Sequence, residues 1–356
     1  MKIALLGDIA LVGQFTVCQG WEKKISYLKE ILEDYDYVVA NLESPLTNVR
    51  RTLVPKSMHL KSDKENVKIL KYLGIDAVTL ANNHSLDYGR KGLDDTIATL
   101  INSGIDYYGV DGKSLYKEIK GEIISLSGFC CLSTNGAGYN LHNKKGINTL
   151  TRELLEKQLS EDKKRQALSI VSAHFGIEHT SYPAIEHISL FENVSLINNM
   201  ILHGHHPHQI QGIIQKGNSL YAYSLGNALF DKTSSITGAF EVDMNEENRK
   251  SFVLGINIQN GKIVDYETIG FYISNRGVCP YEVGKELTEI SSKLVNIENV
   301  DAYMEYRKSQ YKSVLIQKFG KRDIKWLCSR LNYYSVGAKV LTVCREKKYQ
   351  RIKRNF

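Results

Sequence analysis

Five apolar runs in this chain each stop on a residue that carries chemistry. KIALLGD (2–8) ends on Asp8 and YDYVVANLE (35–43) ends on Glu43. IDAVTL (75–80) runs through Ala81 into Asn82, Asn83 and His84. ALSIVSAH (167–174) ends on His174, and NMILHG (199–204) opens the run HGHHPH (203–208). Runs of this length and composition read as buried strands. Helical patterns alternate with the first of them, the signature of a layered α/β domain. Open α/β sheets place their chemistry at the carboxyl ends of their strands. The pattern therefore predicts that these five ends meet.

The intervening segments support that reading. Residues 22–34 place Ile25, Leu28, Ile31 and Leu32 at helical spacing. A helix is expected over 64–73, capped by Asp63 and stopped by Gly74. Another is expected over 90–103, stopped at Gly104. IDYYGV (105–110) and GEIISLSGFCCLS (121–133) read as strands, and a Gly/Asn-rich loop follows at 135–148. Helices are expected at 151–159 and at 186–197, the second with Ile188, Phe191 and Leu196 inward. SLYAYSLGN (219–227) reads as a further strand. ITGAFEVDM, SFVLGINIQ and KIVDYETIG then switch to period-two strands, the last two joined by Asn260-Gly261, a hairpin signal. A helix returns at 285–296. The expected division is a domain over 1–285 and a helical basic C-terminal region over 286–356.

The totals bound the class. A chain of 356 residues with 42% hydrophobic and 24% charged residues suits one large globular domain with an appendage. Runs of 18 apolar residues are absent, which excludes a membrane-spanning helix. The run Ile3–Leu6 is too short for the core of a signal peptide. Six cysteines without a CxxC pair are expected to be reduced and mostly buried. The expected location is cytoplasmic, with room for peripheral contact with a membrane.

At the strand ends stand Asp8, Glu43, Asn83, His84, His174, His205, His206 and His208. Carboxylate, amide oxygen and imidazole together suit Mn²⁺, Fe²⁺, Zn²⁺ or Co²⁺. Two ions about 3.5–4 Å apart need a bridging carboxylate, which Glu43 or Asp8 supplies. His84, beside a ligand, is placed to protonate a leaving group as general acid. Asn82 and Asp87 read as supports that fix the loop. Each residue also has a plain reading: a helix cap for Asp8, a turn for Asn82-Asn83, a core histidine for His174. Four histidines within six residues, of ten in the chain, are harder to explain that way. Lys56, in the polar loop after Glu43, reads as an anion clamp or as a solvated lysine. Gly226-Asn227 reads as a close backbone approach to the site or as a turn.

The order GD(8), NLES(41–44), ANNHSLDYG(81–89), HFGIEH(174–179), GHHPH(204–208) and YSLGN(223–227) resembles the CapA-type poly-gamma-glutamate capsule-synthesis family. That family is similar to the calcineurin-like metallophosphoesterases. The resemblance covers residues 1 to about 245. It implies a four-layer αββα fold and a pair of divalent ions (Mn, Fe or Zn). It puts Asp8, Glu43, Asn83, His174 and His205 at ligand positions and His84 at the general acid. His208 is carried as a further ligand, with His206, Asn227 and Lys56 as substrate contacts. The sequence departs from the metallophosphoesterase pattern at Ala10, where a histidine is usual, at Glu43, where aspartate is usual, and at Pro207, where a histidine is usual. Either His206 or His208 compensates for the last. The implied activity is metal-dependent hydrolysis of an anionic cell-envelope or capsule polymer, or of its phosphorylated precursor. The alternatives are a non-catalytic polymer-binding or transfer module and a nucleic-acid phosphoesterase; no nucleic-acid-binding motif supports the last.

The charge is uneven. The net +7 comprises +11 in residues 301–356, which hold 15 Lys/Arg and 4 Asp/Glu, and −4 in the rest. Basic residues from Lys321 and Arg322 to Lys353 and Arg354 alternate with Ile324, Trp326, Leu331, Val336, Val340 and Val343. This composition suits an anionic membrane surface. Nucleic acid, an acidic partner, or packing of the apolar face on the main domain are the other readings.

Overall fold

The computed structural model describes residues 1–140, 145–238, 240–295, 297, 300–319 and 324–356. Its first part alternates as expected: β1 (Lys2–Ile9), α1 (Trp21–Leu32), β2 (Tyr37–Leu42), α2 (Val67–Leu73), β3 (Ala77–Thr79), α3 (Gly89–Asn102) and β4 (Asp106–Tyr108). A second set follows: β5 (Leu115–Ile119), β6 (Glu122–Cys130), the short pair β7 (Tyr139–Asn140) and β8 (Ile147–Asn148), α4 (Arg152–Lys164), β9 (Leu168–His174), α5 (Ile185–Val194), β10 (Met200–His205), β11 (Ile213–Lys216) and β12 (Ser219–Ala222). Then come β13 (Asn227–Leu229), the short pair β14 (Thr233–Ser234) and β15 (Glu241–Val242), β16 (Lys250–Gln259), β17 (Lys262–Ser274) and β18 (Gly277–Pro280). The helices α6 (Gly284–Val295), α7 (Val300–Phe319), α8 (Ile324–Ser329) and α9 (Tyr333–Ile352) complete the chain.

Two mixed sheets carry the strands. The larger runs β18-β17-β16-β1-β2-β3-β4, with β13 also paired to β1. The smaller runs β11-β12-β10-β9-β6-β5. In both, the central strands are parallel: β1 to β2 to β3 to β4, and β6 to β9 to β10 to β12.

Period-two alternation sorts the side chains of the large sheet into two cores. Ile3, Leu5 and Val39 face the small sheet, packing with Ile170, Ile201 and Phe252. Ala4, Leu6, Val38 and Ala40 face α1 and α2, packing with Leu28 and Leu70. The far side of the small sheet is covered by α4, α5 and α6 through Leu159, Phe191 and Leu287. The layering is helix, sheet, sheet, helix, as the resemblance to metallophosphoesterases implies. Among the described residues, no helix is long and apolar enough to cross a membrane.

Several boundaries differ from the expectation for physical reasons. Asp63 makes no side-chain cap; residues 64–66 form a 3₁₀ turn and α2 starts at Val67, although Gly74 ends it with φ +74° as expected. Leu196 lies past the end of α5 and is 83% exposed. Among the described residues, ITGAFEVDM yields only the two-residue β15, whereas Asn260 and Gly261, both at positive φ, make the predicted β16–β17 hairpin. Of the loop at 135–148, residues 141–144 lie outside the described residues. So do Lys321, Arg322 and the side chains of Lys325 and Trp326.

Candidate metal centre

The site forms where the carboxyl ends of the two parallel strand sets face each other. In the large sheet Asp8 is level with Asn41 of β2 on one side and Asn227 of β13 on the other. Glu43 lies one residue past β2, its N–H donating to the carbonyl of Ile9 at 2.7 Å. In the small sheet His205 is level with His174. Close backbone approach makes this possible. A Cβ on Gly7 would lie 2.0 Å from the Gly226 carbonyl oxygen, and one on Gly204 would lie 2.0 Å from that of Tyr223. Any side chain at either position would force apart the strand ends that carry the donors.

Asp8 is fully buried and engaged on both oxygens. Its Oδ1 accepts from Asn41 Nδ2 at 2.7 Å and stands 3.2 Å from His205 Nδ1. Its Oδ2 accepts from the His206 N–H at 3.2 Å and stands 3.3 Å from His208 Nδ1. Glu43 is equally buried, yet neither of its oxygens has a hydrogen-bond partner among the described residues. Instead Oε1 faces three imidazole nitrogens: His174 Nε2 at 3.6 Å, His208 Nε2 at 3.8 Å and His84 Nε2 at 3.9 Å. Those spacings are too long for hydrogen bonds. The first two fit donors that share an ion with Glu43, because ligand atoms about 2.0–2.2 Å from one metal stand roughly 3–4 Å apart. Asp8, Glu43 and His208 each present an atom within 4.8 Å of the others. A buried carboxylate without hydrogen bonds is costly unless something cationic meets it, so the donor set fits a divalent cation.

The charges of the cluster pull in opposite directions. Burial opposes ionisation of Asp8, but hydrogen bonding and attraction from His205 and His208 outweigh it and hold the carboxyl well below its usual range. Burial dominates at Glu43 and pushes it up to about 8. His208, although buried, is raised to about 10 by Glu43 and Asp8. Burial holds His174 well below its ordinary value and His206 down to about 3. His174 is therefore in the neutral form that ligates metal, whereas His208 carries a proton that a bound cation would displace.

Beside the cluster lies a second, saturated network. Asp87 Oδ2 is 2.6 Å from His84 Nδ1 and accepts from the Leu60 N–H at 2.8 Å. Asp87 Oδ1 accepts from Lys56 Nζ at 2.5 Å, and the same ammonium donates to the Asn83 carbonyl at 2.7 Å. Attraction from Lys56 and His84 overcomes burial and keeps Asp87 ionised. An ionised Asp87 makes His84 Nδ1 a donor, which leaves Nε2 to exchange a proton on the Glu43 side. Asn82 Oδ1 receives the N–H groups of His84 and Ser85, both at 3.0 Å, while its Nδ2 donates to Asn41 Oδ1 and the Leu42 carbonyl. These bonds tie the loop to β2. Asn83 Oδ1 is 2.9 Å from His174 Nε2.

Three expected substrate contacts are placed otherwise. Lys56 is not a free clamp: its ammonium is buried among Asp87, Asn83 and His84, because the loop at 52–60 folds inward. His206 is buried, with Nδ1 3.1 Å from His174 Nε2. Asn227 is buried too; its Oδ1 meets His208 Nδ1 at 2.9 Å and its Nδ2 donates to the Asn248 carbonyl, so it orients a histidine. His203 is a bridge between the sheets, 2.7 Å from the Leu6 carbonyl and 3.0 Å from Ser172 Oγ. Asn41 was not singled out from sequence, although it holds Asp8. A polar residue two places before Glu43 in an apolar strand, hence on the same face, was the available signal.

The chain is 30% identical over 244 residues to the PGA biosynthesis protein CapA of Bacillus subtilis (strain 168), covering 65% of this chain and 64% of that protein. It is 30% identical over 250 residues to the capsule biosynthesis protein CapA of Bacillus anthracis, covering 65% and 60%. The matches thus span a little under two thirds of the length of these curated relatives. Among solved structures, the NAD nucleotidase of Haemophilus influenzae aligns with a TM-score of 0.42 at 12% identity, covering 99% of this chain and 60% of that one. The family model of the bacterial capsule synthesis protein PGA_cap matches residues 2–232, which include every residue of the cluster. The chain belongs to that capsule synthesis family.

Proposed function

We propose that this protein is a metal-dependent hydrolase of the metallophosphoesterase type, acting on an anionic capsule polymer such as poly-gamma-glutamate or on its phosphorylated precursor. The observation that carries the reading is Glu43: a buried carboxylate with no hydrogen bond, ringed by three imidazoles at 3.6–3.9 Å. Asp8, Glu43, Asn83, His174, His205 and His208 would hold the divalent cations. Such ions supply Lewis-acid polarisation of a phosphoryl or carbonyl oxygen and lower the pKa of a bound water.

The chain's own residues do the rest. Asp87 fixes the ring of His84 so that Nε2 faces the cluster, where it delivers a proton to a departing oxygen. Lys56 and Leu60 hold Asp87 in turn. Asn41 and Asn227 fix Asp8 and His208, as groups around metal ligands commonly do.

The test measures Mn²⁺ binding by calorimetry, and in parallel the hydrolysis of aryl phosphates and of poly-gamma-glutamate. His84→Ala is expected to lower turnover about 10²–10⁴-fold while Mn²⁺ binding persists. Asp8→Asn and Glu43→Gln are expected to lose both. Turnover unchanged in the Asp8→Ala, His84→Ala double variant would sink the mechanism. Metal binding without turnover of any of these substrates would leave a polymer-binding module in its place.

A further inference from the structure

The two faces of α9 have different surroundings. One face is tied to the body. Tyr334 donates to the Thr52 carbonyl at 2.9 Å, Arg345 donates to the Leu132 carbonyl at 2.9 Å, and Tyr349 is buried against His187. The opposite face carries Val336, Val340, Val343, Lys347 and Arg351, spaced 4, 3, 4 and 4 residues apart and so aligned in one stripe. The three valines are 53%, 59% and 53% exposed. Lys339 flanks them, and Lys347, Lys348 and Arg351 follow, all exposed; Glu346 is the only acidic residue of the helix. Leu331 and Tyr333, just before and at the helix start, are exposed as well.

We infer that this face of α9 docks on an anionic lipid surface, tilted so that the valine half meets the acyl boundary and the basic half stays among the headgroups. Two features select this occupant. The excess of basic residues complements a negatively charged leaflet, where each contributes roughly 1 kcal/mol, about fivefold in affinity. A soluble polyanion would satisfy the lysines but leave three exposed valines without a partner, whereas a bilayer takes up both. The buried face stays docked on the body, so the helix attaches the whole domain without unfolding.

The test uses the full chain with phosphatidylcholine vesicles, with and without phosphatidylglycerol, in a sedimentation assay over a salt series. Binding is expected only with phosphatidylglycerol and is expected to weaken with salt. Reversal of Lys339, Lys347 and Arg351 to glutamate is expected to weaken it more than about 100-fold, the product of three roughly fivefold terms. Val336→Ser, Val340→Ser and Val343→Ser together are expected to weaken it at least about 10-fold, from the loss of buried apolar area. Circular dichroism of both variants should match the parent, since none of these side chains faces the body. No binding to phosphatidylglycerol vesicles overturns the inference. So does binding that the valine changes leave intact while soluble polyglutamate competes fully, because the face would then be a polyanion site.

Discussion

Two adjoining clusters of buried charge sit at the same strand ends and are built in opposite ways. At Asp87 both carboxylate oxygens have protein partners: a lysine, an imidazole and a backbone N–H. Around Glu43 the carboxylate has none, and the nearest nitrogens stand 3.6–3.9 Å away. Burial costs a charged group dearly unless it is paired and hydrogen-bonded. The Asp87 network meets that cost within the chain. The Glu43 cluster meets it only through the charge of His208, 3.8 Å away and without a hydrogen bond, a condition under which a divalent cation gains by binding. Saturation marks the part that positions, and its absence marks the part that binds.

The contrast breaks first at Asp87. Asp87→Ala would leave the Lys56 ammonium buried at 7% side-chain exposure without a carboxylate. Loss of one partner from a buried pair costs about 3–5 kcal/mol, so the urea midpoint is expected to fall accordingly. A loss under about 1 kcal/mol would mean that water or a rearranged loop satisfies Lys56, and that the network does not depend on Asp87.

A third buried group separates burial from pairing. His187 lies beneath α9 among Phe175, Tyr349 and Phe356. Burial depresses it to about 4; Glu186 opposes the shift, while Arg307 and Lys353 add to it. The unfolded chain binds this proton near pH 6.5 and the folded protein only near 4. Its contribution to stability is therefore full above about pH 6.5 and is lost progressively as the pH falls to 4, about 3 kcal/mol in all. The stability of the parent minus that of His187→Phe should fall by about 3 kcal/mol as the pH falls over that window; a difference that does not change with pH would show that His187 has no part in it.

The fold was legible because the strands that build the site are apolar runs with polar ends, and Asp8, Glu43 and His174 report their own positions. The histidine run was legible as a cluster but not by role. His203 and His205 point to the same side of one strand, yet His203 bonds the Leu6 carbonyl while His205 faces Asp8. Only the packing of the second sheet separates them. Lys56 was misread because its loop has the composition of a solvated turn. What folds it inward is Asp87, 31 residues away in sequence, and no local pattern encodes such a pairing. The exposure of Leu196 has a similar source: helical spacing continues beyond the point where α5 ends.

The unsatisfied side of the comparison makes a prediction of its own. Mn²⁺ at about 100 times its Kd should stabilise the parent by about 2.7 kcal/mol, read as a rise in Tm that EDTA reverses. Glu43→Gln should abolish the rise. The same change should cost the metal-free protein less than Asp87→Ala does, since Glu43 makes no hydrogen bond among the described residues and meets only the His208 charge at 3.8 Å. A metal-free Glu43→Gln protein destabilised as much as Asp87→Ala would show that Glu43 is as firmly paired as Asp87.

The smallest effect tests how far the saturated side extends. The loop that delivers Lys56 is held from outside by α9, where Tyr334 donates to the Thr52 carbonyl at 2.9 Å and packs edge-on against His59 at 5.5 Å. His59 in turn stands 2.8 Å from the Val54 carbonyl, which closes the turn on itself. Tyr334→Phe keeps the ring contact and removes one hydrogen bond, so it should cost about 0.5–1.5 kcal/mol. If the loop is one unit with the Asp87 network, the loss should appear as faster amide exchange at Leu60, whose N–H is bound to Asp87. If exchange quickens only at residues 52–54, the network is self-supporting and α9 merely covers it.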